Sequence, residues 1–127
     1  VRNRSAFVDV RNHGDFRAPF TAVFEAGLPV KNPVLLNCVT GAKLRLITDL
    51  AEGQQLKVFR ENNQLQVRRI TAGVVEDAFA CLDDDSDLLY LDSGSNLLKS
   101  DADSGADDLQ CSVTFRAAYM GVYPDDF

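Results

Sequence analysis

Apolar and polar residues alternate along most of this sequence. The alternation is clearest in five segments, which are FTAVFEA (20–26), AKLRLIT (42–48), QLKVF (55–59), QLQVRR (64–69) and QCSVTFRA (110–117). Successive side chains of a β-strand point to opposite faces, so each segment predicts a strand that buries one face and exposes the other. No segment keeps the 3.6-residue period of a helix over three turns, and long helices are therefore not predicted.

Turn-forming residues separate these segments at regular intervals. Thr40-Gly41 predicts a tight turn between VLLNCV and KLRLI, and Glu61-Asn62-Asn63 predicts a hairpin because asparagine tolerates a positive φ angle. Asp92-Ser93-Gly94-Ser95 separates LLYL from NLLKS. Strands that recur every ~8–12 residues predict an antiparallel β-sandwich or barrel. The segment TAGVVEDAFACL (71–82) is interpreted as a connection that could hold a short helical turn.

The segment NHGDFRAPF (12–20) places an Asn, a Gly, an Asp and a Pro between two strand-like runs. We predict a corner at which the first strand leaves one sheet and the next strand begins at Phe20 in the other. Gly14 is expected to adopt a backbone angle that a side chain would forbid, and Asp15 to accept a hydrogen bond from a nearby amide. Pro19 lacks an N–H and suits the entry to a strand. The corner is interpreted as architecture and not as an active site.

Length and charge limit the domain organisation and the partners. The 127 residues predict one domain over residues 1–127, and a first residue of valine indicates a processed chain or an excised domain. No apolar run approaches the ~20 residues of a membrane helix. Residues 1–72 carry eleven Lys/Arg and six Asp/Glu (+5), and residues 73–127 carry two and thirteen (−11), for a net charge of −6. Such acidity argues against nucleic acid as a partner. The uneven charge suggests solvated acidic loops, or a dipolar domain that packs against copies of itself or against an acid-tolerant partner.

Two groups of residues resemble catalytic or metal sites only weakly. His13 is the single histidine, and Asp15 follows it in a turn, where polar residues are common. No GxSxG elbow, P-loop or GxGxxG motif is present, so we expect no catalytic residue, no cofactor and no enzyme activity. Asp83, Asp85 and Asp87 alternate like calcium ligands, but the Gly and Glu of an EF-hand loop are missing from their required positions. We predict an acidic turn there, with a weak cation site as the alternative.

Three cysteines lie far apart in the sequence, at Cys38, Cys81 and Cys111. None forms a CxxC pair, which argues against a zinc site, and we expect no bound metal. The apolar or alternating patterns around them predict buried, unpaired thiols in a reducing compartment. One disulfide among the three remains an open alternative.

The order of the motifs gives a further indication. An Asn-x-Gly-Asp corner (12–15) is followed by PFTAVF, KNPVLLNCVTGAKLRL, GQQLKVFRENNQLQV, CLDDDSDLLYLDSGSNLLKSDADSG and LQCSVTFRAAYMG. Over residues 12–121 this order resembles the C-terminal domain of distal tail proteins from siphovirus-type phages. Two positions depart from the family pattern: Ser93-Gly94-Ser95-Asn96 stands where Pro-Gly-x-Asn is usual, and Leu88-Leu89 where aromatic residues are common.

The resemblance implies a galectin-like, jelly-roll type of β-sandwich that forms the C-terminal domain of a longer protein. In the family, an N-terminal domain builds a hexameric ring at the tail tip, and the C-terminal domain lies outside the ring. The implied role is structural: the protein connects the tail tube to the baseplate or host-adsorption apparatus, with other tail and baseplate proteins as partners. The implied location is the virion tail tip, after synthesis in the bacterial host cytoplasm. No catalytic, cofactor, metal or binding residue carries over.

A carbohydrate-binding β-sandwich that recognises host-surface glycans is the alternative function, because galectin-type folds can bind sugars on a sheet face. Sugar sites usually present aromatic rings flanked by polar side chains. This chain has no Trp, and its tyrosines are Tyr90, Tyr119 and Tyr123. The sequence assigns none of them to a binding site.

Overall fold

The computed structural model describes residues 6–62, 64–87 and 90–115. Within these residues the chain is almost entirely strand, with two short 3₁₀ turns at Phe79–Cys81 and Ala106–Asp108 and no α-helix. The strands are β1 (Ala6–Asn12), β2 (Ala18–Ala26), β3 (Val30–Asn37), β4 (Lys43–Arg45), β5 (Asp49–Leu50), β6 (Gln55–Glu61), β7 (Gln64–Thr71), β8 (Val74–Asp77), β9 (Tyr90–Leu91), β10 (Gly94–Ser104) and β11 (Leu109–Phe115).

The strands form two sheets that pack together as an antiparallel β-sandwich. The five-stranded sheet has the order β1-β10-β3-β4, and β5 also pairs with β3. The six-stranded sheet has the order β11-β2-β6-β7-β8, and β9 also pairs with β2. Every pairing between these strands is antiparallel, as expected where the connections are short hairpins or crossings between sheets. The prediction of an all-β sandwich is confirmed.

The core lies between the two sheets and follows the alternation of the sequence. Phe20, Ala22, Phe24 and Ala26 of β2 are at most 7% exposed, as predicted. Leucine and valine side chains at 0–3% exposure complete the core from both sheets, and they include Leu35, Leu44, Leu46, Leu56, Val58, Val67, Leu91 and Leu98. Burying a side chain of this size contributes about 1.5–3 kcal/mol. Strand β11 alternates between half-buried and exposed residues as far as Phe115, and the predicted Arg116 and Ala117 lie outside the described residues.

The predicted hairpins lie where the turn residues are. Strands β3 and β4 pair around Thr40-Gly41, and Gly41 has a φ of 81°. Strands β6 and β7 pair up to Glu61 opposite Gln64, and Asn62 has a φ of 53°. Asn63 lies outside the described residues. The segment interpreted as a connection contains a strand that the sequence reading missed, since residues 74–77 form β8 on the edge of the six-stranded sheet.

The corner at residues 12–20 carries the chain from one sheet to the other, as predicted, and the side chain of Asn12 holds it. Asn12 is 1% exposed; its Oδ1 accepts the Gly14 N–H at 2.9 Å, and its Nδ2 donates to the carbonyls of Phe16 and Leu91. The prediction for Gly14 is wrong, because the positive φ angles at described glycines lie at Gly41, Gly53, Gly73, Gly94 and Gly105. The new strand begins at Ala18, two residues before Phe20.

Candidate functional site

His13 and Asp15, which were predicted to be polar turn residues without a catalytic role, lie on the exposed side of the corner. Gly14 between them is held by the side chain of Asn12 and by Ser93, whose Oγ donates to the Gly14 carbonyl at 2.6 Å. The side chains of Asn12 and Ser93 therefore form hydrogen bonds with the backbone of the corner. This arrangement stabilises a crossing between sheets, which agrees with the architectural interpretation.

The acidic turn docks against the outer edge of β4. The backbone N–H groups of Asp83 and Asp87 donate to the carbonyls of Arg45 and Lys43 at 2.9 and 2.8 Å. In return, Asp87 Oδ1 accepts the Lys43 N–H at 2.7 Å, and Ser86 Oγ accepts the Arg45 N–H at 2.9 Å. The turn thus satisfies backbone groups that an edge strand would otherwise leave to solvent.

Two carboxylates of this turn, those of Asp83 and Asp87, bond to protein donors. Asp83 Oδ1 accepts the N–H of Asp85 at 3.2 Å, and Asp83 Oδ2 lies 3.7 Å from the Arg45 guanidinium. Within the described parts of the chain, no group of three or more His, Cys, Asp or Glu side chains is placed to hold a metal ion. The same Arg45 also contacts Asp103 at 3.0 Å. A hydrogen bond from Asn32, together with the charge of Arg45, holds the pKa of the Asp103 carboxyl below its ordinary value.

The three cysteines are free thiols in different environments. The prediction that Cys38 is buried is wrong: it follows β3 on the outer side of the sheet and is exposed, because Asn37 takes the inward position. Cys81 is half-buried, and an Arg69 guanidinium nitrogen lies 3.8 Å from its Sγ. Cys111 is a half-buried residue of β11, and burial raises the pKa of its thiol to about 12.

Aromatic rings flanked by cations lie on the outer side of the six-stranded sheet. The Phe59 centroid is 5.1 Å from Lys57 Nζ and 5.7 Å from Arg68 Cζ. Phe59 points away from the core because its neighbour Val58 points into it. Arg68 is also paired with Asp77 at 3.2 Å. The sequence reading considered only tyrosines as sugar platforms and therefore missed this phenylalanine.

Tyr90 carries a second and closer pair of cations. The guanidinium carbons of Arg17 and Arg60 lie 4.7 and 4.9 Å from its ring centroid. Tyr90 pairs directly with Pro19 in the β2–β9 ladder, so its ring lies on the side of the sheet away from the buried Ala18 and Leu91. The other two tyrosines named above, Tyr119 and Tyr123, lie outside the described residues.

A cleft of about 280 Å³ adjoins this tyrosine through two residues, Pro19, which is its strand partner, and Arg60, which lies over its ring. Its walls are formed by Pro19, Phe20, Thr21, Arg60, Thr114 and Phe115. Two other clefts, of about 390 and 320 Å³, lie along β11 and share Glu25 and Gln110. The smaller of these is also lined by Asp107 and Asp108, so it is acidic where the cleft beside Tyr90 is basic. The sheet surface therefore offers two kinds of recess with opposite charge.

The outer side of the five-stranded sheet carries an apolar patch. Phe7 and Leu97 are 60% and 38% exposed, and Val34 and Leu36 are half-buried on the same side. The strand register places Phe7 opposite Lys99 and Lys99 opposite Leu36, so these side chains are neighbours across β1, β10 and β3. The exposed Cys38 continues the patch, which we call the apolar face (Phe7, Val34, Leu36, Cys38 and Leu97).

Comparisons with protein-family models, curated proteins and solved structures find no match to this chain. None of the helical segments in the described part of the chain is long and apolar enough to cross a membrane.

Proposed function

We propose that this chain is the C-terminal domain of a siphovirus-type distal tail protein and that it works as a structural and interaction module at the tail tip. The order of its turn and strand motifs over residues 12–121 supports the proposal, and the β-sandwich is the fold that this resemblance implies. The finer galectin-like, jelly-roll topology belongs to the same proposal. No chemistry is required of the domain, only surfaces that bind neighbouring proteins.

The apolar face is the observation that carries an interaction role. A sandwich that works alone would place polar residues on the outer side of both sheets, yet Phe7 and Leu97 expose apolar surface on the same side of neighbouring strands. Apolar surface exposed on neighbouring strands is a feature of interaction sites in soluble proteins. Lys99 lies between Phe7 and Leu36, with its Nζ 5.5 Å from the Phe7 centroid, and Asp9 lies opposite Leu97, so the face mixes apolar and charged side chains as many protein interfaces do. We assign this face to contact with neighbouring proteins of the tail tip, a second copy of this chain included.

The test is to locate the protein in tailed particles. An antibody raised against the domain, coupled to gold, is applied to virions or induced prophage particles from the same source and viewed by electron microscopy. We expect gold at the distal end of the tail, next to the adsorption apparatus. An antibody against the major tube protein is the matched control and labels the whole tail. Labelling of heads or tail shafts by the domain antibody, or of no particle, would contradict the assignment.

A second candidate function, glycan binding, is favoured by the cation-flanked rings of Phe59 and Tyr90. Sugars pack their apolar faces on aromatic rings, and such sites combine rings with a few polar side chains. The test is a glycan array probed with the labelled domain, with Phe59→Ala and Tyr90→Ala as variants. Loss of a reproducible signal in either variant supports this function, and an unchanged signal in both would reject these rings as its site.

A further inference from the structure

Two arginines converge on one tyrosine at the end of the six-stranded sheet. Because Arg17 Cζ and Arg60 Cζ lie 4.7 and 4.9 Å from the same centroid, they can be no further apart than the sum of those distances. Both guanidinium groups lie against the same ring, which is a favourable cation–π position, and together they place two positive charges at this end of the sheet. An anion bound beside both guanidinium groups would be attracted by each of them.

The geometry and the restricted motion of the two guanidinium groups also favour binding of such a ligand. Arginine presents a planar fork of N–H donors that matches the two oxygens of a carboxylate or phosphate. Stacking on Tyr90 restricts the side chains of Arg17 and Arg60 before any ligand arrives, and a restricted side chain loses less entropy on binding. The two arginines come from different parts of the chain: Arg17 immediately precedes β2, and Arg60 belongs to β6.

The adjoining cleft supplies the remaining contacts of a small ligand site. Arg60 forms one wall, the hydroxyl-bearing Thr21 and Thr114 lie on neighbouring strands, and Phe115 adds an aromatic ring. Its volume of about 280 Å³ is near the lower end for ligand pockets, which suits one sugar ring with its charged substituent. The acidic cleft lined by Glu25, Asp107 and Asp108 would repel the same ligand.

We propose that Arg17, Arg60 and Tyr90, with the cleft beside them, bind an oxyanion carried on a saccharide, either the carboxylate of a uronic acid or a phosphate ester. The two guanidinium groups hold the oxyanion, and the cleft formed by Thr21, Thr114 and Phe115 receives the sugar ring. The saccharide part of this proposal rests on the second candidate function and names its ligand class. The oxyanion part stands on the two arginines.

The experiment is a titration of the 127-residue chain in a buffer without phosphate. Calorimetry measures the affinity, and amide chemical shifts locate the binding site. The probes are trigalacturonic acid, its fully methyl-esterified form, which has the same sugar rings without the charges, and glucose 6-phosphate. We expect the free acid or the phosphate ester to bind at least about tenfold more tightly than the neutral ester. Shift changes are expected at the amides of Thr21, Tyr90 and Thr114.

Variants connect the binding to these side chains. Arg17→Gln is expected to weaken binding of the anionic probe at least about tenfold, and Tyr90→Phe, which keeps the ring, to leave it unchanged. Arg11→Gln removes the same charge from an exposed site on β1 of the other sheet and is the matched control. Circular dichroism of each variant checks that the fold is retained.

Each outcome decides a different part of the proposal. Equal binding of the acid and its neutral ester would overturn oxyanion recognition while leaving glycan binding in place. Binding of glucose 6-phosphate but not of trigalacturonic acid would support the oxyanion site and identify phosphate as its source. Binding of none of the three probes would overturn the inference, as would an Arg11→Gln variant that weakens binding as much as Arg17→Gln.

Discussion

Three buried asparagines organise the turns of this sandwich at the scale of single residues. Asn12, Asn37 and Asn96 are 1–3% exposed, and each side chain bonds backbone groups of the turn beside it. Asn37 Oδ1 accepts the N–H groups of Val39 and Thr40 at 2.9 and 3.2 Å. A buried polar group is stabilising only where its hydrogen bonds are made. Each of these asparagines therefore stabilises the domain only while the turn beside it keeps this conformation.

We predict that Asn96→Ala destabilises the domain by about 2–3 kcal/mol, because four partly buried backbone groups lose their partners. Asn96 Oδ1 accepts the Asp92 N–H at 3.0 Å, and its Nδ2 donates to the carbonyls of Asp92, Val10 and Gly94. Urea denaturation measures the change. Gln110→Ala, at an exposed amide on β11, is the control and should stay within about 0.5 kcal/mol of the parent. Equal effects of the two substitutions would contradict the role of Asn96.

The Cys111 thiol should make stability fall at high pH. Burial raises its pKa to about 12 from an ordinary value of 9.0, so the folded state keeps a proton that the unfolded chain releases. The stabilisation is complete below pH 9 and is lost as pH rises toward 12, at up to about 1.4 kcal/mol per pH unit. Urea midpoints at pH 8 and pH ~10.5 measure the loss, and Cys111→Ser should reduce it. An identical pH dependence in parent and variant would show that this thiol is not protected.

At the scale of the elements, a tight approach at Gly105 fixes the turn between β10 and β11. Gly105 has a φ of 78°, and a Cβ built there would lie 2.3 Å from the Pro29 carbonyl oxygen. Gly41 has a similar φ of 81° but no atom within 4 Å of such a Cβ. We predict that Gly41→Ala costs about 1 kcal/mol, for the backbone angle alone, and that Gly105→Ala costs at least about 3 kcal/mol. Similar urea midpoints for the two variants would disprove the steric argument.

The acidic turn should behave as a cover for β4 and not as a calcium site. The carboxylates of Asp83 and Asp87 bond to the Lys43 N–H, the Asp85 N–H and the Arg45 guanidinium, so calcium bound by either would have to displace protein donors. We predict that ~5 mM calcium shifts the melting midpoint by less than about 1 °C, because stabilisation requires a ligand that binds the folded state. A rise of several degrees that Asp85→Ala abolishes would instead establish a cation site.

The positions of most strands were predictable from the sequence, but the pairing between strands was not. Alternation is a local property, so the sequence predicted which side of β2 is buried and where the hairpins around Gly41 and Asn62 turn. It missed β8, because Val74 and Val75 are adjacent valines on an exposed edge and do not alternate. The candidate sites depend on pairing between distant segments, as when β9 brings Tyr90 beside Pro19, and no local pattern records that register.

The whole molecule mixes the two halves of the chain that the sequence separates by charge. The acidic half contributes β10, which lies between β1 and β3 of the basic half, and β11, which lies beside β2. The sheets therefore interleave the +5 and −11 segments, and the structure gives no support to a domain with one basic and one acidic side. Contacts between copies are then better explained by the apolar face than by complementary charge.

We predict that the isolated chain is monomeric at low concentration and associates weakly through the apolar face at high concentration. Interfaces below ~1,200 Å² are typically weak, and a domain held on a ring needs no more, because the ring raises the effective concentration of its neighbours. Apolar contacts are not screened by salt, so this association should persist at about 1 M NaCl, where the Debye length is only ~3 Å. Sedimentation velocity at low and high salt measures this association.

Two variants test where the contact lies. Leu97→Asp, on the apolar face, should abolish association, whereas Val74→Asp, on the exposed β8 edge, should leave it unchanged. Association that disappears in salt, or that survives Leu97→Asp, would move the contact to a charged surface and remove the main support for the interaction role.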